Sequence, residues 1–233
     1  MKAMILAAGR GTRMAPLTDN CPKPLIPLLG KPLIEHHIEK LVAAGVRDIV
    51  INHAYLGYMV EEALGDGSRW GCSIRYSAED QALETAGGVI KALPLLATDT
   101  CEPFLLINGD VWLDWDYGNA WVVAEQFDPK QDGFLWLVEN PDHNPGGDFS
   151  LTDQGRVLSK ISGQGWTFSG VSLLSPTLFM GLPTGVRPLA PLLRQAMDRG
   201  TIQGQVLPCG WVDVGTPQRL ANLEQTLLRN ISG

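Results

Sequence analysis

The sequence predicts an α/β fold with a mostly parallel, mixed central sheet. Short apolar runs alternate with amphipathic segments through the first half of the 233 residues. Such alternation is typical of strands that are joined by helical crossovers and covered by helices on both faces. No stretch rich in serine, glycine or proline separates the two halves of the chain. We therefore expect one domain over residues 1–233.

The elements of the first half can be assigned in order. An apolar run at 4–8 predicts a strand that ends in a glycine loop. A proline near the start and Gly45 just after the end delimit a helix over 31–44, and Ile34, Ile38 and Leu41 share one face of it. The remaining predicted elements are strands at 47–52, 72–76 and 104–107, and helices at 55–64 and 85–96.

The second half has shorter strand-like runs, separated by glycine, asparagine and proline. We predict strands at 133–138, 148–151, 157–161 and 168–174, and a helix at 189–198. Thr216, followed by a proline, predicts the capped start of a terminal helix over 217–229.

Composition limits the classes of function. The net charge of −7 and the pI near 5.0 argue against a protein that binds nucleic acid over a broad surface. The four cysteines, at 21, 72, 101 and 209, form no C-x-x-C pair, which indicates free thiols in a reducing compartment. No apolar segment is long enough to span a membrane or to act as a signal peptide. We expect a cytoplasmic protein without nucleic-acid or membrane partners.

The N-terminal stretch KAMILAAGRGTRMAPLTDNCPKP, residues 2–24, carries the most chemistry. A buried strand followed by Gly9 and Gly11 can present backbone N–H groups to phosphate, and Arg13 and Lys23 add positive charge. A single G-x-G is also common in ordinary turns. Met14 replaces the third glycine of the dinucleotide-binding motif, and the Gly-Lys-Ser/Thr of a P-loop is absent. The glycines alone leave both interpretations open.

Two aspartates are candidates for binding a metal. Asp110 follows an apolar strand, at the end where open α/β sheets bind ligands, although Asn-Gly-Asp is also a common turn sequence. Asp213 lies in the apolar run WVDVGT, where a carboxylate needs a partner, either a metal or a helix cap or salt bridge. Two carboxylates that converge on a polyphosphate suggest one or two Mg²⁺ ions.

The sequence L-A-A-G-x-G-T-R-M-x-P-L-T, followed by P-K-P-L, closely resembles the signature of the sugar-1-phosphate nucleotidyltransferases. The resemblance implies a Rossmann-like three-layer fold, with a nucleotide-binding half at 1–110 and a sugar-binding half at 111–233. It implies that Arg13 holds the triphosphate and the departing pyrophosphate, that Lys23 lies against the reacting phosphates, and that Asp110 and Asp213 bind Mg²⁺. The residues of the loop that would contact the nucleotide are Ala8, Gly9, Gly11 and Thr12.

The resemblance extends to segments that would contact the base and the sugar. EDQALETAGG, residues 79–88, is similar to the base-reading stretch of the family, although Glu84 stands where the family often has glycine. It implies Glu79, Thr85 and Gly88 as neighbours of the nucleotide. The segments around 147 and 169 resemble sugar-facing segments of the family, but they could also be ordinary hairpin turns. The implied sugar-binding residues are Asn108, Gly147, Asp148, Ser169 and Gly170.

Further segments, among them INHAYLGYMVEEALGDGSRWG, GGDFSL and TFSGVSLLSP, resemble the short bacterial members that act on N-acetylmuramate α-1-phosphate. The implied reaction is Mg²⁺-dependent transfer of UMP from UTP, which gives UDP-N-acetylmuramate and pyrophosphate in peptidoglycan recycling. We expect a monomer or a weak homodimer. Two alternatives stay open: another pair of substrates, such as GTP or dTTP with a mannose, heptose or glucose 1-phosphate, and a sugar-nucleotide sensor without activity.

Overall fold

A seven-stranded sheet forms the centre of the molecule in a computed structural model, which describes residues 1–97, 102–159 and 163–232. The strands, in chain order, are Ala3–Leu6 (β1), Pro27–Leu28 (β2), Lys31–Pro32 (β3), Asp48–His53 (β4), Ser73–Ala78 (β5), Phe104–Asn108 (β6), Val111–Leu113 (β7), Gly133–Val138 (β8), Ser150–Leu151 (β9), Val157–Leu158 (β10), Thr167–Leu174 (β11), Ile202–Val206 (β12) and Trp211–Asp213 (β13). The α-helices are Leu33–Ala43 (α1), Gly57–Leu64 (α2), Glu84–Leu96 (α3), Asn119–Glu125 (α4), Ala190–Arg199 (α5) and Pro217–Ser232 (α6).

The central sheet has the order β12-β8-β11-β6-β1-β4-β5. β5, β4, β1 and β6 are parallel neighbours, and β12 is parallel to β8. Only β11 runs in the opposite direction, between β6 and β8. The prediction of a mostly parallel, mixed sheet is therefore confirmed. Within the described residues, no helix is long and apolar enough to cross a membrane.

The two faces of the sheet are covered separately, as a three-layer fold requires. Side chains alternate along β1, so that Ile5 belongs to the buried cluster that includes residues of α1 and α2, while Met4 belongs to the cluster that includes residues of α3 and α5. Both packing clusters contain fully buried aliphatic side chains from the central strands. Strands from both halves of the chain contribute to this single sheet.

The register of the central strands places polar residues at one edge. Leu6, the last residue of β1, lies between Asn52 of β4 and Asn108 of β6. These residues lie at the carboxyl ends of parallel strands, where α/β sheets commonly bind ligands. A short antiparallel pair, β7 with β13, continues beyond β6 and sets Asp213 opposite Val111.

Most predicted elements are present with shifted ends. The cap of α6 is confirmed, since the backbone N–H of Arg219 donates to Oγ1 of Thr216 over 3.3 Å. The strand predicted at 148–151 is shorter, because only Ser150–Leu151 is extended. The strand predicted at 157–161 reduces to Val157–Leu158, and 160–161 lie outside the described residues. The sequence interpretation assigned no elements to the segments that form β7, β12, β13 and α4.

Candidate active site

A cleft of about 410 Å³, here named the loop cleft, opens at the carboxyl ends of β1, β4 and β6. Its walls come from the loop after β1, from the segment before α3 and from the turn after β6. The residues that line it are Leu6, Ala7, Ala8, Gly9, Arg10, Lys23, Pro24, Asn52, Ala82, Glu84, Thr85, Asn108, Gly109 and Asp110.

The loop after β1 is shaped by its two glycines in different ways. Gly11 has a φ of +65°, and an added Cβ would lie 3.1 Å from side-chain atoms of both Lys23 and Thr18. Oγ1 of Thr18 donates to the carbonyl oxygen of Gly11 over 2.9 Å and fixes this turn. An added Cβ on Gly9 would meet no atom within 4 Å, so the space beside this backbone is open to a ligand.

The cations of this loop point in different directions. Arg10 lines the loop cleft, where its guanidinium donates to the carbonyl oxygen of Thr18 over 2.9 Å and lies 3.6 Å from the centroid of the Tyr55 ring. A short 3-10 helix, Thr12–Met14, then turns the chain, and Arg13 lines a different cleft. The sequence interpretation did not single out Arg10, although it is a basic residue between the two glycines.

Asp110 lines both the loop cleft and a second cleft described below, and Lys23 lines the loop cleft beside it. Nζ of Lys23 donates to Oδ2 of Asp110 over 2.7 Å. The lysine side chain is 10% exposed and the aspartate side chain is 38% exposed. A largely buried ammonium group at the floor of a cleft is suited to binding an anion.

The far wall of the loop cleft contains only part of the predicted base-reading set. Thr85 and Glu84 line the cleft, and Glu84 has a φ of +61°, which is uncommon for a residue other than glycine. Glu79 is buried, and it accepts hydrogen bonds from Nδ2 of Asn52 and from the backbone N–H of Leu83. Glu79 and Gly88 are not among the residues that line the cleft.

A second cleft of about 390 Å³, here named the acidic cleft, lies on the other side of Asn108 and Asp110. Five separate segments of the chain form it, and three of its residues are aspartates. Its lining residues are Arg13, Asn108, Asp110, Val111, His143, Asn144, Asp148, Thr167, Phe168, Trp211 and Asp213.

The pairing of β7 with β13 brings the two candidate metal ligands to one place. The backbone N–H of Val214 donates to the carbonyl oxygen of Asp110 over 2.9 Å, which joins the two segments beside Asp213. Oδ2 of Asp213 lies 2.6 Å from Nη1 of Arg219 and 3.6 Å from Nε2 of His143. Each of the two carboxylates therefore has a basic partner.

The predicted sugar-binding residues divide into two groups. Asn108 and Asp148 line the acidic cleft. The Asp148 carboxylate accepts from the backbone N–H of Phe168 over 2.8 Å, and from Nδ2 of Asn144 over 3.1 Å. Ser169 is fully buried, and its Oγ accepts from the backbone N–H of Val171, so it does not line the cleft.

The two glycines of this predicted set shape the cleft walls. Gly170 has a φ of +82° in an irregular part of β11, and an added Cβ would lie 2.9 Å from Nδ2 of Asn108. An added Cβ on Gly147 would lie 2.6 Å from the backbone nitrogen of Trp166. Both glycines are thus required by contacts within the protein. His143 and Asn144 line the acidic cleft and were missed by the sequence interpretation, and Thr167, which also lines it, lies in the segment predicted to face the sugar but was not selected as a site residue.

The donor set fits a cation that completes its shell with ligands from a substrate. Within residues 1–97, 102–159 and 163–232, no group of three His, Cys, Asp or Glu side chains is arranged to hold a metal. Asp110 and Asp213 both line the acidic cleft and provide two carboxylates there. Magnesium commonly binds through one or two protein carboxylates, with water and phosphate oxygens as its other ligands.

Comparison with known proteins identifies relatives along nearly the whole chain. Residues 2–161 match the family model described as Nucleotidyl transferase. The N-acetylmuramate alpha-1-phosphate uridylyltransferase of Neisseria meningitidis serogroup B is 52% identical over 223 residues, which cover 94% of this chain and 95% of the relative. A protein of the same name from Caulobacter vibrioides is 35% identical and aligns with 93% of this chain and 92% of its own.

A solved structure has the same fold. A putative glucose-1-phosphate thymidylyltransferase from Bacillus anthracis superposes with a TM-score of 0.82 and covers 97% of this chain and 94% of that one. The two sequences are 23% identical, so this likeness concerns the fold alone.

Proposed function

Because this chain belongs to the nucleotidyl transferase family, we propose that it transfers UMP from UTP to N-acetylmuramate α-1-phosphate, with release of pyrophosphate. The observation that carries the proposal is the meeting of the two clefts at Asp110, which is paired with Lys23 of the loop cleft. The loop cleft would hold UTP and the acidic cleft the sugar 1-phosphate. The nucleotide would then lie mainly against residues 1–110 and the sugar against residues 111–233.

The reaction needs little acid–base chemistry. A phosphate oxygen of the sugar 1-phosphate attacks the α-phosphorus of UTP, the P–O bond to the β-phosphate breaks, and pyrophosphate leaves. The nucleophile is already an anion, so no group has to remove a proton from it. The protein contributes by holding the two reactants in line and by stabilising the negative charge on the phosphates.

The basic residues have separate tasks in this proposal. Lys23 lies at the junction of the clefts, where its ammonium group would donate to the reacting phosphate in place of Asp110. Arg13 lines the acidic cleft, as Asp110 does, and Arg10 lines the loop cleft. Backbone N–H groups beside Gly9 would donate to the polyphosphate, because no Cβ shields that segment.

Mg²⁺ would be held by Asp110 and Asp213, and when bound it would neutralise charge on the phosphates of both substrates. Both carboxylates already lie near basic side chains, Lys23 and Arg219 respectively. These partners would lose their carboxylates to the cation, which leaves Lys23 free to contact phosphate.

Basic side chains at the acidic cleft also favour a sugar that carries a carboxylate. N-acetylmuramate differs from N-acetylglucosamine by a lactyl ether that carries a carboxylate. His143 lines the acidic cleft, and Arg219, which is not among its lining residues, pairs with the same carboxylate oxygen of Asp213. We propose that these two side chains donate to the lactyl carboxylate once a cation occupies Asp213.

The cell would use this reaction to return N-acetylmuramate to the cell-wall precursor UDP-N-acetylmuramate. We place the reaction in the cytoplasm. The three cysteines within the described residues, Cys21, Cys72 and Cys209, are free thiols, as a reducing compartment would keep them.

Pyrophosphate release by the purified protein tests the proposal. UTP, GTP, dTTP and CTP would each be paired with the 1-phosphates of N-acetylmuramate, N-acetylglucosamine, glucose and mannose, with Mg²⁺ and then with EDTA. We expect the highest kcat/KM for UTP with N-acetylmuramate 1-phosphate, and loss of activity in EDTA. Preference for another pair would overturn the assigned substrates, and nucleotide binding without turnover of any pair would favour a sensor.

A further inference from the structure

A buried chain of hydrogen bonds joins the two sides of the loop cleft. Oδ1 of Asn52 accepts from the backbone N–H of Ala7 over 2.9 Å, next to the glycine loop. Nδ2 of Asn52 donates to Oε1 of Glu79 over 2.7 Å. Oε2 of Glu79 accepts from the backbone N–H of Leu83 over 2.8 Å, at the start of the opposite wall. We name this set of bonds the Asn52–Glu79 tie.

The Asn52–Glu79 tie is buried, which makes it energetically costly. Asn52 is 2% exposed and Glu79 is 5% exposed. None of the ion pairs within the described residues includes Glu79, so its carboxylate is held by neutral N–H donors. A buried carboxylate without a cation costs free energy that well-directed hydrogen bonds must offset. An amide and a carboxylate at these positions are therefore better explained by a need for fixed geometry than by stability.

Gly88 provides the space that the Asn52–Glu79 tie occupies. An added Cβ on this helical glycine would lie 2.7 Å from Nδ2 of Asn52 and 2.8 Å from Oε1 of Glu79. Contacts this short require one of the two side chains to move. The sequence interpretation assigned Glu79 and Gly88 to the nucleotide, whereas their observed contacts are with Asn52.

We propose that Asn52 is a positioning residue that sets the distance between the glycine loop and the wall around Glu84 and Thr85, and that Glu79 and Gly88 act through it. The inference rests on the proposed function in one respect, namely that the loop cleft holds a nucleoside triphosphate. Such a ligand would contact the glycine loop with its phosphates and the wall around Glu84 and Thr85 with its base. It would therefore bind well only if the distance between the two is fixed. An inorganic polyphosphate would contact one side alone.

A pair of variants tests the proposal with little change in shape. Asn52→Asp keeps the acceptor for Ala7 but sets two carboxylates against each other. Adding Glu79→Gln restores a donor, because the amide placed at position 79 can donate to the carboxylate placed at position 52 and still accept from Leu83. We expect N52D to raise the KM for UTP by about tenfold, the effect of one lost buried hydrogen bond. The KM for the sugar 1-phosphate stays near its original value, and N52D/E79Q recovers most of the UTP effect.

Binding measured by calorimetry separates positioning from general loosening. We expect Gly88→Ala, which displaces Asn52 or Glu79 without adding a charge, to weaken the binding of UTP by about tenfold and to leave the binding of inorganic tripolyphosphate within about twofold of wild type. Gly88 does not line the loop cleft, whereas Asn52 does, so this variant separates positioning from a direct contact with the ligand. Equal loss for both ligands, an unchanged KM for UTP, or no recovery in the double variant would each overturn the proposal. A different result would overturn the proposed function itself: wild-type protein that binds UTP but transfers UMP to no sugar 1-phosphate.

Discussion

The loop cleft and the acidic cleft share Asn108 and Asp110 but are built in different ways. Asn52, which lines the loop cleft, and the polar side chains of Glu79 and Thr18 behind it are buried and bonded to backbone groups. The polar side chains of the acidic cleft are more exposed and belong to five separate segments. The first cleft therefore has a preformed shape, whereas the second has charges that a ligand must rearrange.

This difference shows how one fold can combine a common nucleotide substrate with a particular sugar phosphate. A rigid cleft suits a nucleoside triphosphate, whose length and charge do not vary. A cleft whose carboxylates are paired with side chains such as Arg219 can bind a new substrate by re-pairing those charges. We therefore expect substitutions where the clefts meet to reduce turnover, and substitutions at the acidic cleft to reduce selectivity between sugar phosphates.

The largest effect is expected where the clefts meet. Asp110→Asn removes one of the two carboxylates that would hold Mg²⁺ and leaves Lys23 without its partner. We expect a fall in kcat/KM of at least about 100-fold, or about 3 kcal/mol of transition-state stabilisation. The measurement is steady-state pyrophosphate release at saturating Mg²⁺. Asp153→Asn, at an exposed turn, serves as the control, and near-normal turnover in D110N would contradict the role.

The second effect should alter selectivity between sugar phosphates, through a residue that pairs with Asp213 of the acidic cleft. Arg219→Gln removes the guanidinium that we assign to the lactyl carboxylate. We expect the ratio of kcat/KM for N-acetylmuramate 1-phosphate to that for N-acetylglucosamine 1-phosphate to fall about tenfold. A displacement of Asp213 would lower kcat/KM for both sugar phosphates, so it would not change this ratio. Equal losses for the two substrates would leave Arg219 as a support for Asp213 only.

The third effect concerns a buried histidine of α1. Nδ1 of His37 lies 2.7 Å from the hydroxyl oxygen of Tyr117, and both residues are buried. Burial, together with the nearby charge of Lys40, lowers the pKa of His37 from 6.5 to about 4. Between pH 6.5 and pH 4, His37 is protonated in the unfolded chain but neutral in the folded protein. The free energy of unfolding therefore decreases as the pH falls through this range, by up to about 3 kcal/mol.

Urea unfolding at pH 7, 5.5 and 4.5 measures this loss. His37→Phe removes the titrating group, and its stability should fall less steeply over the same range. A wild-type slope equal to that of H37F would show that His37 contributes no pH dependence.

The smallest effect belongs to the wall of the loop cleft. Glu84 holds a left-handed conformation that costs a residue with a Cβ about 1 kcal/mol, and glycine avoids this cost. Glu84→Gly should therefore raise the free energy of unfolding, by less than about 1 kcal/mol. Glu62→Gly, at an exposed position within α2, is the matched control and should lower it by about 1 kcal/mol. A decrease in both variants would mean that the backbone at Glu84 is not strained.

The loop cleft was easier to predict from sequence than the acidic cleft, for a physical reason. Gly11 and Lys23 lie close in the chain, and the turn that joins them depends on local conformation. Asn52 escaped notice, although it ends an apolar run at the same edge of the sheet as Asp110. Its position after that run is the same kind of signal that indicated Asp110 as a residue at a ligand-binding edge.

The acidic cleft depends on register that no local pattern specifies. β7 and β13 have three residues each, too few for a period to emerge, yet their pairing sets Asp213 beside Asp110. Ser169 was assigned to the sugar, but the irregularity between Phe168 and Ser172 breaks the alternation of β11 and leaves this side chain buried. His143 lies in a connection between strands that carries no periodic signal.

The most direct test of the proposed transfer follows the phosphorus atoms. UTP and N-acetylmuramate 1-phosphate would be incubated with the protein and Mg²⁺ and observed by ³¹P nuclear magnetic resonance. We predict that the sugar phosphomonoester signal is replaced by two coupled signals of a sugar–nucleotide diphosphate, in step with the appearance of pyrophosphate. Hydrolysis of UTP with an unchanged sugar phosphate, or no change at all, would contradict the proposed transfer.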